Sequence, residues 1–517
     1  MKHYYIILIA LAFGLLSANA AVTYKVRNNP QAGEFASIKE ALVNCVTTSS
    51  LAERDTIDVL GVFTDSVRIN KSVVIKGHGW NETILQRYTT KQTETPTNDM
   101  KSVVIINSGA SAHLMNLQVR YGNSYIQGGG IRVDANVGGK VLLDRLKVTD
   151  NFSSQHSGGV AIIGSNVEVK NCYITQNRSA AVGGGGMQIV SNNSGEDCKV
   201  FVTGCTIANN ITTNGTGGGL SIDGNGTYGN QKKLEVYIEN STIAFNESAT
   251  TGGGVFAKGV AYAGTIAENT NTKIWMNHCT IAYNKVTTLG SGTTAVGLSL
   301  ANVSGTAGIP ALDIHNTIIT KNEVYVDATT NKNDVNFNKS ALDSVTNCIF
   351  GVTFNLTTAG TNLLNKTGKF DIVKLDTELR NEGGLVPVLP ILAGSTAIDS
   401  IQTNYAPLLK DQRGFLRNNK SDVGAYEFSA SNPSGIQELN HHKSRFKLVQ
   451  NPVKNIIQFT NSDEISRVII RNLNGITIYD GEYGAGVNAS YLKTGVYIVQ
   501  INSITYEKTS QLFIKAK

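Results

Sequence analysis

Three groupings of side chains in this 517-residue sequence have residue types that could do chemistry. Asp411, Arg413 and Glu427 fall within one short stretch, DQRGFLRNNKSDVGAYE. Two carboxylates beside a guanidinium have the make-up of an acid–base pair or an anion site. The same trio can equally form a buried polar cluster that ties off a run of repeats, and its place after the repeats favours that reading. His441-His442 suggests metal binding, but the pair lacks the spaced Cys, His or carboxylate partners of a metal site and reads as solvated. The third grouping is aromatic. Phe201, Tyr237 and Trp275 occupy one position of a repeat, and Phe245 and Tyr283 occupy another. Rings in a row make a platform for sugar rings or another flat apolar ligand. The competing reading is that they stack on each other, or lie under a loop, to stabilise the sheet.

Carboxylates that would bind Ca²⁺ or act as paired acid and base do not line up on the repeats. Successive copies carry Asp144, Arg145, Lys147 and Asp150, then Glu168 and Lys170, then none, then Glu239. The position of Asp150 is next held by Gln176, Asn209, Phe245, Tyr283 and Lys321. Chemistry on an acidic polysaccharide needs such clusters. No cofactor is expected, and Ca²⁺ has no support.

The elements that position these residues come from one template. VLLDRLKVTDN, VEVKNCYITQN, VFVTGCTIANN, VYIENSTIAFN, IWMNHCTIAYN and LDIHNTIITKN begin at Val141, Val167, Val200, Val236, Ile274 and Leu312. Their closing asparagines (Asn151, Asn177, Asn210, Asn246, Asn284, Asn322) are 26 to 38 positions apart. Alternation within the template is that of a strand, and each copy from Val141 to Val236 is followed by a glycine run and a second short strand. An array of such units buries its apolar faces only by stacking. The expected fold is all-β: a right-handed parallel β-helix, with like residues stacked about 4.8 Å apart. Ser37 to Cys45 has helical spacing, with Ser37 as N-cap, and is expected to cover the open first coil. The asparagine column is expected to take the left-handed conformation at each corner and to hydrogen-bond up the stack. The connections from Met187 to Val200, Leu220 to Val236 and Val255 to Ile274 lengthen along the chain and are expected to wall one side of the aromatic row.

The ends and the composition bound the setting. MKHYYIILIALAFGLLSANA has the charge, apolar stretch and small residues of a secretory leader, expected at 1–20. A net charge of +6 with 16% charged residues and no basic cluster argues against nucleic acid. Cys172, Cys205 and Cys279 share one template column and read as buried thiols rather than bridges.

Three stretches carry resemblances. Asp55-Thr56-Ile57, Gly61, Val67, Ile69, Lys71, Val73, Ile75 and Gly77, after the helix, resemble the start of pectin-lyase-like β-helix proteins. NEGGLVPVLPILAGSTAIDS and DQRGFLRNNKSDVGAYEF resemble the closing blocks of bacterial surface proteins of the choice-of-anchor Q type, with Thr396 where the family carries proline. The last segment alternates in short strands divided by Asn, Gly and Asp turns, as a small antiparallel β-sandwich does. Asn451, Pro452, Asn474, Gly475, Leu492, Gly495 and Tyr497 make it similar to the C-terminal sorting domain of type IX secretion cargo. With the leader at 1–20, these resemblances imply a β-helix at 21–428, a linker at 429–445 and a sorting domain at 446–517. They imply a partner in the type IX secretion machinery and a protein that is secreted or attached at the outer-membrane surface. The function expected is non-catalytic binding or adhesion to glycans or host and cell surfaces, by a monomer. The alternative is a polysaccharide lyase or glycoside hydrolase acting on acidic polysaccharide.

Overall fold

Each repeat lays down four strands. In the coil that begins at Ser165 these are Ser165–Lys170, Tyr173–Thr175, Arg178–Ser179 and Met187–Val190. The next coil repeats them at Cys198–Thr203, Thr206–Ala208, Ile211–Thr212 and Leu220–Asp223. Pairing is parallel and in register, Val167 with Val200, Ile174 with Ile207, Arg178 with Ile211 and Met187 with Leu220. Four parallel sheets result, numbered first to fourth in the order the chain visits them. The fold is a parallel β-helix, with the right-handed crossover that such connections take. This computed structural model describes residues 21–46, 54–92, 102–134, 136–181, 183–191, 197–224, 232–260, 271–288, 295–301, 307–326, 329–332, 334–336, 344–351, 353–354, 373–401, 407–430, 446, 448–460, 462, 465–472, 477–503 and 508–516. The expected leader lies outside them. The chain divides into two compact units, Met1–Asn432 and Pro433–Lys517.

The template is not one strand. It bends first at Arg145, Asn171, Gly204, Asn240, His278 and Asn316, all at positive φ. It bends again at Asp150, Gln176, Asn209, Phe245, Tyr283 and Lys321, with φ between 56° and 59°. The left-handed corner therefore belongs to the residue before each closing asparagine, and the expectation that placed it on the asparagine itself is corrected. For a non-glycine residue that conformation costs roughly 1–2 kcal/mol, so the ladder beside it must hold the corner.

That ladder is continuous and buried. Asn151 Nδ2 donates to Asn177 Oδ1 at 2.9 Å, and the link repeats to Asn210, Asn246, Asn284 and Asn322 at 2.9–3.0 Å. Asn322 donates to Asp334 Oδ1 at 2.8 Å, where the ladder stops. Glycine is required alongside it: a Cβ on Gly219 would sit 2.8 Å from Asn246 Nδ2 and 2.8 Å from the Gly254 carbonyl. The glycine runs thus allow close approach as much as corner dihedrals.

Inside the coils, Val, Ile and Leu columns form one core. The template cysteines lie within it, and all six cysteines of the chain are free and buried. Burial pushes the Cys279 and Cys348 thiols up to about 12 and Cys172 well above its ordinary value. The capping helix is Ile38–Asn44. Ser37 Oγ accepts from Glu40 N at 3.2 Å, and Glu40 Oε2 accepts from Ala36 N at 3.2 Å, a reciprocal cap. Ile38, Ala41 and Leu42 are buried in the core at the first coil.

The second unit holds a four-stranded antiparallel sheet in the order Thr477–Glu482, Ile465–Asn472, Gly495–Ser503, Lys508–Lys515. A two-stranded sheet, Ile456–Ile457 with Val487–Asn488, shares its core of Phe446, Val453, Ile457, Val468, Val487, Val499 and Phe513.

Candidate functional site

In-register pairing of the first sheet aligns Phe201 with Tyr237 and Tyr237 with Trp275. Alternation sends their neighbours Val200, Val202, Val236, Ile238, Ile274 and Met276 into the core, and the rings stand outside. Phe201 and Tyr237 stack with centroids 4.7 Å apart and planes 12° apart. Tyr237 and Trp275 stack at 4.3 Å and 3°. Those spacings are the strand spacing, so each ring spends its faces on its neighbours and turns its edge outward.

The two ends of the row differ. Lys273 Nζ lies 4.4 Å from the Trp275 centroid and 3.1 Å from Asp313, which lies next in the same column. Phe201 is 37% exposed, and its next neighbour in the other direction is the Glu168 carboxylate, not a ring. The aromatic row is flanked by an ion pair, Lys199 to Glu235 at 2.8 Å, and the Tyr237 hydroxyl donates to Glu235 at 3.3 Å. Burial first, then Glu235, raises the Tyr237 phenol, which keeps its proton. The row is an amphipathic ridge whose Phe201 end is exposed and stacks on no further ring.

Phe245 and Tyr283 do not belong to this ridge. They sit at the corner after the second sheet, stacked at 5.2 Å and 1°, and are half-buried against the closing segment. The Tyr283 hydroxyl donates to the Leu375 carbonyl at 3.4 Å. For these two the arrangement is rings packed under a loop.

The closing segment, described over 373–401 and 407–430, goes beyond a second expectation. It reaches past the last coil, packing on Ala244 and Ala282 as well as on Ile349. It runs back over the outer face of the second sheet, where Val373, Leu375, Val388, Leu389, Ile391 and Val423 pack with Ala244, Ala282, Ile318 and Ile349. Gln412 Nε2 donates to the Cys205 carbonyl at 2.9 Å and to Thr206 Oγ1 at 2.8 Å, and Thr242 Oγ1 donates to Gln412 Oε1 at 2.5 Å. The Ala425 amide donates to Thr280 Oγ1 at 3.0 Å.

Asp411, Arg413 and Glu427 pin this segment. Asp411 accepts from the Arg413, Phe415 and Glu427 amides and from the Arg413 guanidinium, 2.7 Å away. Glu427 accepts from the Asn418 and Asp422 amides and pairs with Arg417 at 3.0 Å. The side chains of both pairs are 0–6% exposed. Burial raises the Glu427 and Asp422 carboxyls and lowers the Arg417 guanidinium. The carboxylates are occupied by donors of this chain and closed to solvent, which makes the cluster a clamp.

His441, His442, Asn474 and Gly475 lie outside the described residues. So do the middles of the connections expected to wall the row, 192–196, 225–231 and 261–270. Among the described residues no three His, Cys, Asp or Glu side chains converge as metal ligands. In the second unit, Asn451 Oδ1 accepts from Ile514 N at 2.9 Å, Leu492 is buried, Gly495 opens a central strand, and the Tyr497 ring stacks on Phe513 at 5.5 Å. Pro452 follows Asn451 through a cis peptide.

Sequence reasoning missed the cover on the second sheet, though a signal was present. Thr206-Ile207-Ala208, Thr242-Ile243-Ala244 and Thr280-Ile281-Ala282 place threonine and alanine on its outer face. Small outward residues in column leave room for another chain segment, and the hydroxyls become its anchors.

Residues 450–515 match the family of secretion system C-terminal sorting domains. No curated protein sequence matches the chain. Among solved structures, pectate lyase Pel9A is similar with a TM-score of 0.42 and 13% identity, over 79% of this chain and 98% of that one. Pectin methylesterase PemA from Erwinia chrysanthemi gives 0.27 and 11%, over 67% and 92% of the two chains. Pectin methylesterase from carrot gives 0.25 and 13%, over 67% and 88%. The sorting tail makes this a secreted or cell-surface-attached protein and implies contact with the type IX secretion machinery.

Proposed function

We propose that the exported β-helix is a non-catalytic binding protein that engages glycans, or a flat apolar patch on another surface, through the ridge of Phe201, Tyr237 and Trp275. The observation that carries this reading is the contrast between the two aromatic columns. Phe245 and Tyr283 are packed beneath the closing segment, whereas the first-sheet row ends on an exposed phenylalanine and has ion pairs along its flank and at its Trp275 end. An apolar strip with a polar rim is the composition of a recognition surface. Catalysis is the weaker reading because Asp411 and Glu427 are sealed by their own donors.

The test measures binding and stability on the same samples. The full chain is screened on a glycan array, beside an assay for new unsaturated ends on polyuronides. Phe201→Ala, which removes the exposed end ring, and Trp275→Ala are then compared with it. Binding should weaken by roughly 1–3 kcal/mol for Phe201→Ala with an unchanged unfolding midpoint. A lowered midpoint with unchanged affinity in both variants would mean that the row only braces the sheet. Lyase activity would replace binding by catalysis.

A further inference from the structure

We propose that a groove at the N-terminal end of the coil stack is a second binding site, for the oxyanion of a sulfated or phosphorylated saccharide. It is lined by the capping helix and the first coil. Lys39, Arg68, Lys71 and Arg87 bring four cationic groups to it, with Asn70 beside them and Asp65 as the single carboxylate among the lining residues.

Several cations elsewhere on the coils rest on carboxylates: Lys91 on Asp150, Arg132 on Asp134, Lys199 on Glu235, Lys258 on Asp223, Lys273 on Asp313. No ion pair among the described residues uses any of the four groove cations. Two of them are held in place by neutral acceptors. Lys71 Nζ donates to the Val43 and Cys45 carbonyls at 2.9 and 2.8 Å, where the helix ends, and Arg68 Nη1 donates to Asn107 Oδ1 at 3.0 Å. Arg87 Nε is buried and makes no hydrogen bond.

The arrangement selects the ligand. Four cations from three stretches of the chain line the groove instead of presenting one planar fork, so they suit an ester with several charged oxygens better than a single carboxylate. The concave, partly apolar wall of Leu42 and Val43 concentrates their field. Asn70 and that wall suit the hydroxyls and apolar face of the sugar that carries the ester. The groove lies apart from the aromatic row, so the two assignments stand or fall separately.

The full chain is titrated calorimetrically with a heparin-derived hexasaccharide and with its desulfated counterpart. The sulfated form should bind, with an affinity that falls as salt rises, and the desulfated form should not. Lys39→Gln/Arg87→Gln should weaken binding roughly 100-fold or more, since two charge-assisted hydrogen bonds are lost, and should flatten the salt dependence. Arg68→Gln should act in the same direction, the unfolding midpoints should stay at the wild-type value, and Trp275→Ala should leave this affinity untouched. Equal binding of the desulfated sugar, wild-type affinity in the double variant, or no binding at millimolar sugar would overturn the proposal. Stronger binding to phosphatidylglycerol vesicles, with the same dependence on Lys39 and Arg87, would overturn the saccharide assignment.

Discussion

Replacing Asn246 by alanine tests the asparagine ladder at an interior rung, bonded on both sides. Asn246 Oδ1 accepts from Asn210 N at 3.0 Å and from Asn210 Nδ2 at 2.9 Å. Its Nδ2 donates to the Ile207 carbonyl at 2.9 Å and to Asn284 Oδ1 at 3.0 Å. Alanine removes all four bonds and keeps the two made by the backbone, the donation to Asn284 Oδ1 and the carbonyl's bond from the Lys285 amide. Two donors on Asn210 are left at a site with no solvent access. At about 1 kcal/mol per net bond, and more for donors left buried and unpaired, the loss is roughly 4–6 kcal/mol. That is beyond the usual range for one substitution, and the facing Gly219 has no side chain to fill the gap. Guanidinium unfolding of the full chain, followed by far-UV circular dichroism and tryptophan fluorescence, reads it. A β-helix is a stack with nearest-neighbour coupling, so the transition should also broaden or split at this coil. Asn246→Asp keeps the acceptor and loses both donors, and should fall between wild type and alanine. A loss below about 1 kcal/mol would mean that the amides exchange freely with water and that something else holds the corners.

Three further outcomes follow from the same geometry. Cys172, Cys205 and Cys279 should resist alkylation in the native protein and react only after denaturation, as mass spectrometry of labelled peptides would show; a disulfide between any two would contradict the core column. Burial, then Arg417, holds His278 well below its ordinary value, so the folded form stays neutral while the unfolded chain takes up a proton near pH 6.5. The stability it contributes is full above about pH 6.5 and is lost as pH falls; His278→Asn, the residue of three neighbouring coils, should therefore lose less between pH 7.5 and 5.5 than wild type, and an equal loss would refute the assignment. Removing Pro433 to Lys517 should leave the β-helix folded but trapped inside the outer membrane, and normal surface levels by cell fractionation would contradict the sorting role.

Much of this architecture was legible because a stacked array repeats its evidence. The template, the glycine runs and the asparagine column each recur in several coils, and each recurrence tests the same inward or outward assignment. The capping helix was legible from the apolar spacing of Ser37 to Cys45 and from Ser37 as its N-cap. What stayed hidden was non-local. The left-handed corner sits on a column whose members are Asp150, Gln176, Asn209, Phe245, Tyr283 and Lys321, types with nothing in common, because the constraint comes from the neighbouring ladder and not from the residue. The cover over the second sheet depends on pairings such as Gln412 with Cys205, which no periodicity reports. The groove cations come from three separate stretches of the chain, so no basic run announces them.

The cover has a consequence for the order in which the protein forms. Coils can stack as soon as their neighbours exist, since each ladder step spans 26 to 38 positions. The outer face around Ala244, Ala282 and Ile318 must wait for residues about 50 to 200 positions further on, as the Cys205–Gln412 separation of 207 illustrates. Loop closure over such lengths is slow compared with local stacking. Until it happens, a nearly complete β-helix carries a sticky apolar strip along one side, the kind of surface through which folding intermediates associate. Because the sorting unit follows the cover in sequence, a chain ready for sorting already contains the segment that seals this strip, so arrested or shortened chains, not finished ones, are the species prone to aggregate.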